Sequence, residues 1–294
     1  MKSLLRSART WLLRPSEQKY DALSEQIARL NEELRAQRLL LEDSVRGSAT
    51  SYLDEIEQVL AERQLGFAPT LELIAKERLS FARFGDGEFK SMLRPSYNLR
   101  FQPGSPELAQ DLMRVFLESQ EDSRCLVGFP TLYRDLHWSR VWIDIWPEVR
   151  PLAKASDRLG NAHVSRPIAF QTLGQKAVDL WREVWTGRHV TIITGQNSRM
   201  TLLPELFDCA ESIDQIESLA VNAYSDLDRV VQEVNGRRGQ DRLFLIALGP
   251  AGTILASRLS SLGEQAVDIG HISDSYETVF KGAAWPEKKP LTRS

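Results

Sequence analysis

The chain has little cysteine and little histidine. Its two cysteines in 294 residues, Cys125 and Cys209, lie far apart and outside any Cys-x-x-Cys spacing. That excludes a disulfide framework and a thiolate zinc site, and it fits a reduced compartment. The four histidines, His137, His163, His189 and His271, form no His-x-x-x-His pair, so a histidine-rich metal centre is not expected. No apolar run approaches the roughly 18 residues of a membrane span. Lys2, Arg6 and Arg9 interrupt the N-terminus where a signal peptide would carry its apolar core. The expected location is the cytoplasm. Strong basic charge is also missing: the net charge is −3, so nucleic acid is not an expected partner.

What is present is an ordinary globular composition, 42% hydrophobic and 26% charged, over a length that can bury a large core. The N-terminal part has its own organisation. Residues 1–15 carry four basic residues and no acidic one, and Leu4, Leu5, Ala8, Trp11 and Leu12 share one helical face. Such a basic amphipathic segment can lie on an anionic membrane surface through residues 1–14, at the inner face of the membrane, or can pack on a neighbouring helix. Residues 16–46 read as a coiled coil. Tyr20, Leu23, Ile27, Leu30, Leu34, Gln37 and Leu41 alternate at spacings of three and four, flanked by charge, which points to a homo-oligomer through residues 18–45. Gly47, Ser48, Ala49, Thr50 and Ser51 make a small-residue linker at 47–51. A globular domain is expected over 52–282 and a loose tail over 283–294.

Within the domain, short apolar strands alternate with longer helices. Strands are expected at Leu79–Phe84, Arg124–Phe129, His189–Thr194, Leu243–Leu248 and Ala266–Ile269. Helices are expected after Ser105–Pro106, around Trp138, Trp142 and Trp146, and over Gln171–Trp185, Leu227–Val234 and Thr253–Leu262. The pattern predicts an α/β fold, a Rossmann-like and mainly parallel sheet with helices on both faces. Ligands of such sheets sit beyond the carboxyl ends of the strands.

Three strand ends carry possible chemistry. In Arg83-Phe84-Gly85-Asp86-Gly87-Glu88-Phe89 an apolar strand runs into two carboxylates, a donor set suited to Mg²⁺ or Mn²⁺ beside a diphosphate that Arg83 would pair with. The same residues also suit a helix start, with Asp86 capping and Glu88 complementing the dipole. The loop Gly249-Pro250-Ala251-Gly252 could shape a phosphate or ribose site, or simply join a strand to a helix. In Asp268-Ile269-Gly270-His271, His271 could act in proton transfer or hold its own loop, with Asp274 and Glu277 as further carboxylates nearby.

Taken together these motifs resemble the GT-D-fold glycosyltransferases, a bacterial family first catalogued as a domain of unknown function. The segment from Arg83 to Phe89 resembles its Asp-x-Glu signature. Leu248-Gly249-Pro250 with Ala266 to His271 resembles its C-terminal block, and Ser165-Arg166-Pro167 and Asn222-Ala223-Tyr224 match further landmarks. The similarity spans about residues 70–280. The resemblance implies a metal-dependent hexosyltransferase in bacterial surface glycan or glycoprotein synthesis. Asp86 and Glu88 would hold Mn²⁺ or Mg²⁺. A nucleotide-sugar donor, UDP-glucose as first choice, would be contacted by Arg83, Gly85, Arg166, Asn222, Gly249, Pro250 and Gly252. His271, Asp274 and Glu277 are the catalytic candidates, and the acceptor is a glycan, glycoprotein or lipid-linked sugar. One segment departs from the family: Ser198–Phe207 lacks the glycines of the usual turn. Two other readings remain, a non-catalytic nucleotide-sugar-binding coiled-coil scaffold and an S-adenosylmethionine-dependent methyltransferase.

Overall fold

The computed structural model describes residues 2–121, 124–239 and 241–289, with side chains described from residue 19 apart from 45, 46, 48, 49 and 120. The side chains expected to meet a membrane, within 1–14, lie outside the described set, as do residues 290–294.

Seven strands form one sheet: β1 (Ser80–Arg83), β2 (Cys125–Phe129), β3 (Gly160–Asn161), β4 (His189–Gly195), β5 (Ser212–Ser218), β6 (Arg242–Ala247) and β7 (Gln265–Asp268). Their spatial order is β3-β2-β1-β7-β6-β4-β5, and every pairing is parallel. The register aligns Phe81 with Leu126 on one side and with Val267 on the other. Helices cover both faces, so the central strands are buried on both sides, with polar residues at their ends. Along β6, Leu243 and Leu245 enter one buried cluster while Phe244 and Ile246 enter the other.

From β1 the chain moves outward to β2 and β3, then crosses to fill the other half and ends with β7 beside β1. The strand order therefore reverses between β1 and β7. A crevice opens at such a point beyond the carboxyl ends, because the loops leave in different directions.

Two strands escaped the sequence reading. β5 is an edge strand of polar composition, with only Ile216 and Ser218 buried, so it lacks an apolar run. β3 has two residues, too few to show a pattern. The helix expected over Gln171–Trp185 is two helices, Pro167–Leu173 and Gln175–Trp185, because Gly174 takes φ +57 between them.

The N-terminal helix runs unbroken from Lys2 to Arg63. This corrects the linker expected at 47–51. Of those residues only glycine carries a helix penalty of about 1 kcal/mol, and one such cost does not interrupt a long helix. Its last turns belong to the domain: Leu53, Ile56, Val59 and Leu60 are buried in the cluster that also holds Trp142 and Trp146 of helix Leu136–Ala155. Trp146 Nε1 donates to Glu55 at 3.3 Å. Part of the tail expected at 283–294 is also structured. Pro286 is buried in a short turn, Pro286–Lys288, so the chain stays packed on the domain through Lys289.

Candidate active site

β1 ends at Arg83 and the next helix starts at Asp86. Glu88 reaches back, its Oε2 accepting the Gly85 N–H at 2.8 Å. A Cβ at Gly85 would come within 2.9 Å of that oxygen and press on the capping carboxylate. Glu88 thus takes the capping role that the sequence reading gave to Asp86, and it is also buried. Burial pushes its pKa up to about 6, against the pull of Arg83 and with added repulsion from Asp268 and Asp86. Asp86 is more open, with Lys90 at 3.6 Å and the His137 ring at 4.0 Å.

β7 supplies the opposite wall. Asp268 is buried, and its Oδ1 accepts the Gly270 N–H at 2.9 Å. Arg83 lies between the walls. Its Nε stands 3.7 Å from Asp268 and its Nη1 donates to the Ala162 carbonyl at 3.3 Å. Arg83 Nε is buried without a hydrogen-bond acceptor among the described residues. Gly270, at φ +47, lets this guanidinium pass; a Cβ there would come within 2.5 Å of Nη2. Three carboxylates and a buried arginine therefore share the β1–β7 crevice.

Arg166 joins them from the turn after β3, where it caps helix Pro167–Leu173. Burial, and then repulsion from Arg83, lower its pKa to about 10, while Asp86, Glu88 and Asp274 act in the opposite sense. It also forms an ion pair with Glu287 of the C-terminal turn. His163 sits in the same turn. Its Nδ1 accepts the Thr131 N–H at 3.2 Å, which places the proton of the neutral ring on Nε2. Burial first, then Arg166 and Arg83, depress its pKa to about 3.

The segment after β7 is tied to the loop after β4. Arg199 Nε meets Asp274 Oδ2 at 3.0 Å, and Arg199 Nη2 lies 3.2 Å from His271 Nδ1. An arginine can only donate, so His271 accepts at Nδ1 and carries its hydrogen on Nε2. Lost hydration, then Arg166, Arg83 and Arg199, pull the His271 pKa well down. Since 44% of this side chain is exposed, the field of the three arginines is the firmer cause. Lys289 completes the group, at 2.8 Å from Asp274 Oδ1 and 3.0 Å from Glu277 Oε2.

The remaining candidates stand differently. Gly249, at φ +56, packs against the Phe101 ring, and the N–H groups of Gly252 and Thr253 both turn back to the Gly249 carbonyl. Pro250 is buried and has no N–H to offer. Gly252 does adjoin the crevice: a Cβ there would lie 3.8 Å from Asp268 Oδ2. Asn222 holds the loop that carries Phe101, donating from its backbone to the Phe101 carbonyl at 2.8 Å and accepting from Gln102 Nε2 at 2.9 Å. Its left-handed backbone, φ +60, suits asparagine.

The sequence reading gave no role to Asp268, His163, Arg199, Glu287 or Lys289. Asp268 had a visible signal, an acidic residue closing an apolar strand before a glycine. The other four depend on long-range contacts.

Among the described residues no group of three or more His, Cys, Asp or Glu forms a metal cage. Asp86 and Glu88 nevertheless fit a divalent cation. They are hard oxygen donors whose mutual repulsion, together with Asp268, a cation would relieve, and Mg²⁺-type sites commonly use two carboxylates with phosphates and water filling the rest.

Comparison with known proteins gives the family and the fold. Residues 81–292 match the family model described as glycosyltransferase GT-D fold. The chain is 30% identical over 230 residues to glycosyltransferase GlyD of Streptococcus pneumoniae, covering 74% of this chain and 28% of that protein. It is 28% identical over 237 residues to a probable glycosyl transferase, Gly, of Streptococcus gordonii, covering 76% of this chain and 34% of that protein. The chain thus spans about a third or less of these relatives' length. A solved structure described as the highly conserved domain of unknown function 1792, with a distinct glycosyltransferase fold, superposes with a TM-score of 0.70 at 25% identity, over 81% of this chain and 88% of that one. A new glycosyltransferase from Streptococcus sanguinis superposes with a TM-score of 0.68 at 27% identity, over 75% and 85% of the two chains. No helix among the described residues is long and apolar enough to cross a membrane. By fold and by sequence, the chain belongs to the GT-D-fold glycosyltransferases.

Proposed function

We propose that the protein transfers a sugar from a nucleotide-sugar donor, with UDP-glucose the first candidate, in a reaction that needs Mn²⁺ or Mg²⁺. The acceptor class is a glycan, glycoprotein or lipid-linked sugar. The observation that carries this reading is the meeting of Asp86 and Glu88 with Arg83 and Arg166 in one crevice, carboxylates for a cation beside guanidinium groups for a diphosphate.

A bound cation would be held by Asp86 and Glu88 and would supply charge neutralisation as the nucleoside diphosphate leaves. Arg83, whose Nε lacks an acceptor, and Arg166 provide fixed positive charge for the same oxygens. Arg166 takes up this task by exchanging the Glu287 carboxylate for phosphate. His271 serves as a hydrogen-bond donor through Nε2 toward a phosphate or sugar oxygen, since its Nδ1 is engaged by Arg199. Asp274, committed at both oxygens to Arg199 and Lys289, positions these groups. Glu277 bonds Lys289 through Oε2 and, less committed than Asp274, is this segment's candidate proton acceptor for an attacking hydroxyl. The Gly249–Gly252 loop and Asn222 act by packing the donor side.

The chain would work in the cytoplasm, self-associated through residues 18–45, with the basic segment 1–14 at the inner membrane surface. Donor hydrolysis measured with Mn²⁺ and with EDTA tests the activity. Metal-dependent release of one nucleoside diphosphate supports it, and no release despite nucleotide binding would leave a binding scaffold instead.

A further inference from the structure

The family match begins at residue 81, so the first 40 residues of the long helix lie outside it. At about 1.5 Å per residue the 62-residue helix is roughly 90 Å long. Between residues 19 and 44 every described side chain is exposed except that of Glu42, which is partly so. The seam residues Tyr20, Leu23, Ile27, Leu30, Leu34 and Leu41 are 48–74% exposed. Helices in proteins draw most of their stability from packing an amphipathic face, and an uncovered apolar stripe along this one needs a partner.

The stripe stops where the domain begins. With Tyr20 at position a, the later a and d places hold Ser44, Ser48, Ser51, Glu55 and Gln58, all polar. The residues buried in the domain, Leu53, Ile56, Val59 and Leu60, form a separate set off that spacing. The seam is therefore not a continuation of the surface that packs on helix Leu136–Ala155.

We infer that residues 20–41 pair with the same segment of a second copy as a parallel, in-register, two-stranded coiled coil. Three features choose this arrangement. Ile27 at a, with Leu23 and Leu30 at d, favours two strands. Gln37 occupies a d place. In register and parallel it faces its own copy, so each amide can donate to and accept from the other. Antiparallel packing sets d against a, which would bury that amide against Tyr20 or against Ile27, Leu34 or Leu41, and a heptad slip would set it against Leu30; an apolar neighbour leaves a polar group unpaired. Charge gives the third feature. Glu33 is at g and Arg38 at the following e, the pair that meets across a parallel interface, and the symmetry forms it twice. Arg38 also bonds Glu42 within its own helix at 3.1 Å, an exposed link that its remaining N–H groups leave compatible with a second partner. Leu39 and Leu40 lie outside the seam, at f and g.

This inference deepens the self-association proposed above, and its readouts do not depend on donor turnover. Parallel pairing carries two catalytic domains at one end and both basic N-terminal segments at the other. Light scattering of the full chain should give twice the 33.4 kDa chain mass. Leu30→Glu should return the single-chain mass with the domain's thermal unfolding retained. Gln37→Cys should form a disulfide-linked dimer under mild oxidation, with the parent chain, whose Cys125 is buried, as control. Glu33→Arg should weaken the dimer at least tenfold, and adding Arg38→Glu should restore it. A single-chain mass for the parent, a mass of three or four chains, or a dimer that Gln37→Cys leaves unlinked would each overturn the arrangement.

Discussion

Arg199 donates to His271 Nδ1 at 3.2 Å across 72 residues of sequence, and the same guanidinium binds Asp274 at 3.0 Å. Arg199 comes from the loop after β4, and from there a fixed cation sets the tautomer of a histidine in the segment after β7.

Arg199→Ala should therefore leave the fold intact and lower donor turnover on the order of 10–100-fold, the usual cost of misplacing a group near the reacting atoms. Arg199→Lys keeps the charge but cannot reach both partners, so it should recover only part of the loss. Steady-state kinetics with matched unfolding curves measure this. Full activity in Arg199→Ala would remove His271 orientation from the mechanism.

Glu88 is a buried carboxylate whose charge burial disfavours. Its pKa is raised to about 6 from 4.5, so its charged form at neutral pH costs the fold on the order of 1–2 kcal/mol. The sign follows from the folded state holding the proton more tightly: stability falls as pH rises from about 4.5 to about 6. Glu88→Gln should raise or maintain the melting temperature in EDTA while losing the Mn²⁺-dependent part of donor stabilisation. A large loss of stability in EDTA would make Glu88 a structural cap.

The sheet was largely legible in the sequence because its central strands are buried on both faces. Runs such as Leu243–Leu248 can be little else between helices of the right length. Asp86 and Glu88 were legible because a strand end and two carboxylates are contiguous. β5 was hidden by its polar edge composition and β3 by its brevity. The linker expected at 47–51 failed because small residues were read as a break, whereas a helix of 62 residues absorbs one glycine. Arg199, Lys289 and Glu287 were not readable at all. Each acts on a residue far away in sequence or from a tail that composition suggests is loose, and only the packed chain brings them together.

His163 makes the opposite pH contribution. Its folded pKa is depressed to about 3 from 6.5, so the unfolded chain takes up the proton first as pH falls. Stability from this group is present above about 6.5 and is lost progressively between about 6.5 and 3. His163→Gln should flatten the fall in melting temperature over that window relative to the parent chain. An unchanged slope would mean that other groups dominate acid unfolding.

Gly270 is where the backbone makes way for Arg83. With φ +47 and a Cβ position 2.5 Å from Arg83 Nη2, Gly270→Ala should cost about 1–3 kcal/mol and displace the guanidinium. Denaturant unfolding measures the first effect, and weaker nucleoside diphosphate binding reports the second. Retained binding with reduced stability would separate Arg83 from the donor.

The most direct measurement is thermal stabilisation of the full chain by UDP, GDP, CDP and S-adenosylmethionine, each with Mn²⁺ and with EDTA. A ligand that binds the native state raises the melting temperature by mass action. One nucleoside diphosphate should stabilise the protein only when metal is present, and Asp86→Ala should abolish that shift. Stabilisation by S-adenosylmethionine in EDTA, or a nucleotide shift that ignores both EDTA and Asp86→Ala, would contradict a metal-dependent donor site at Asp86 and Glu88.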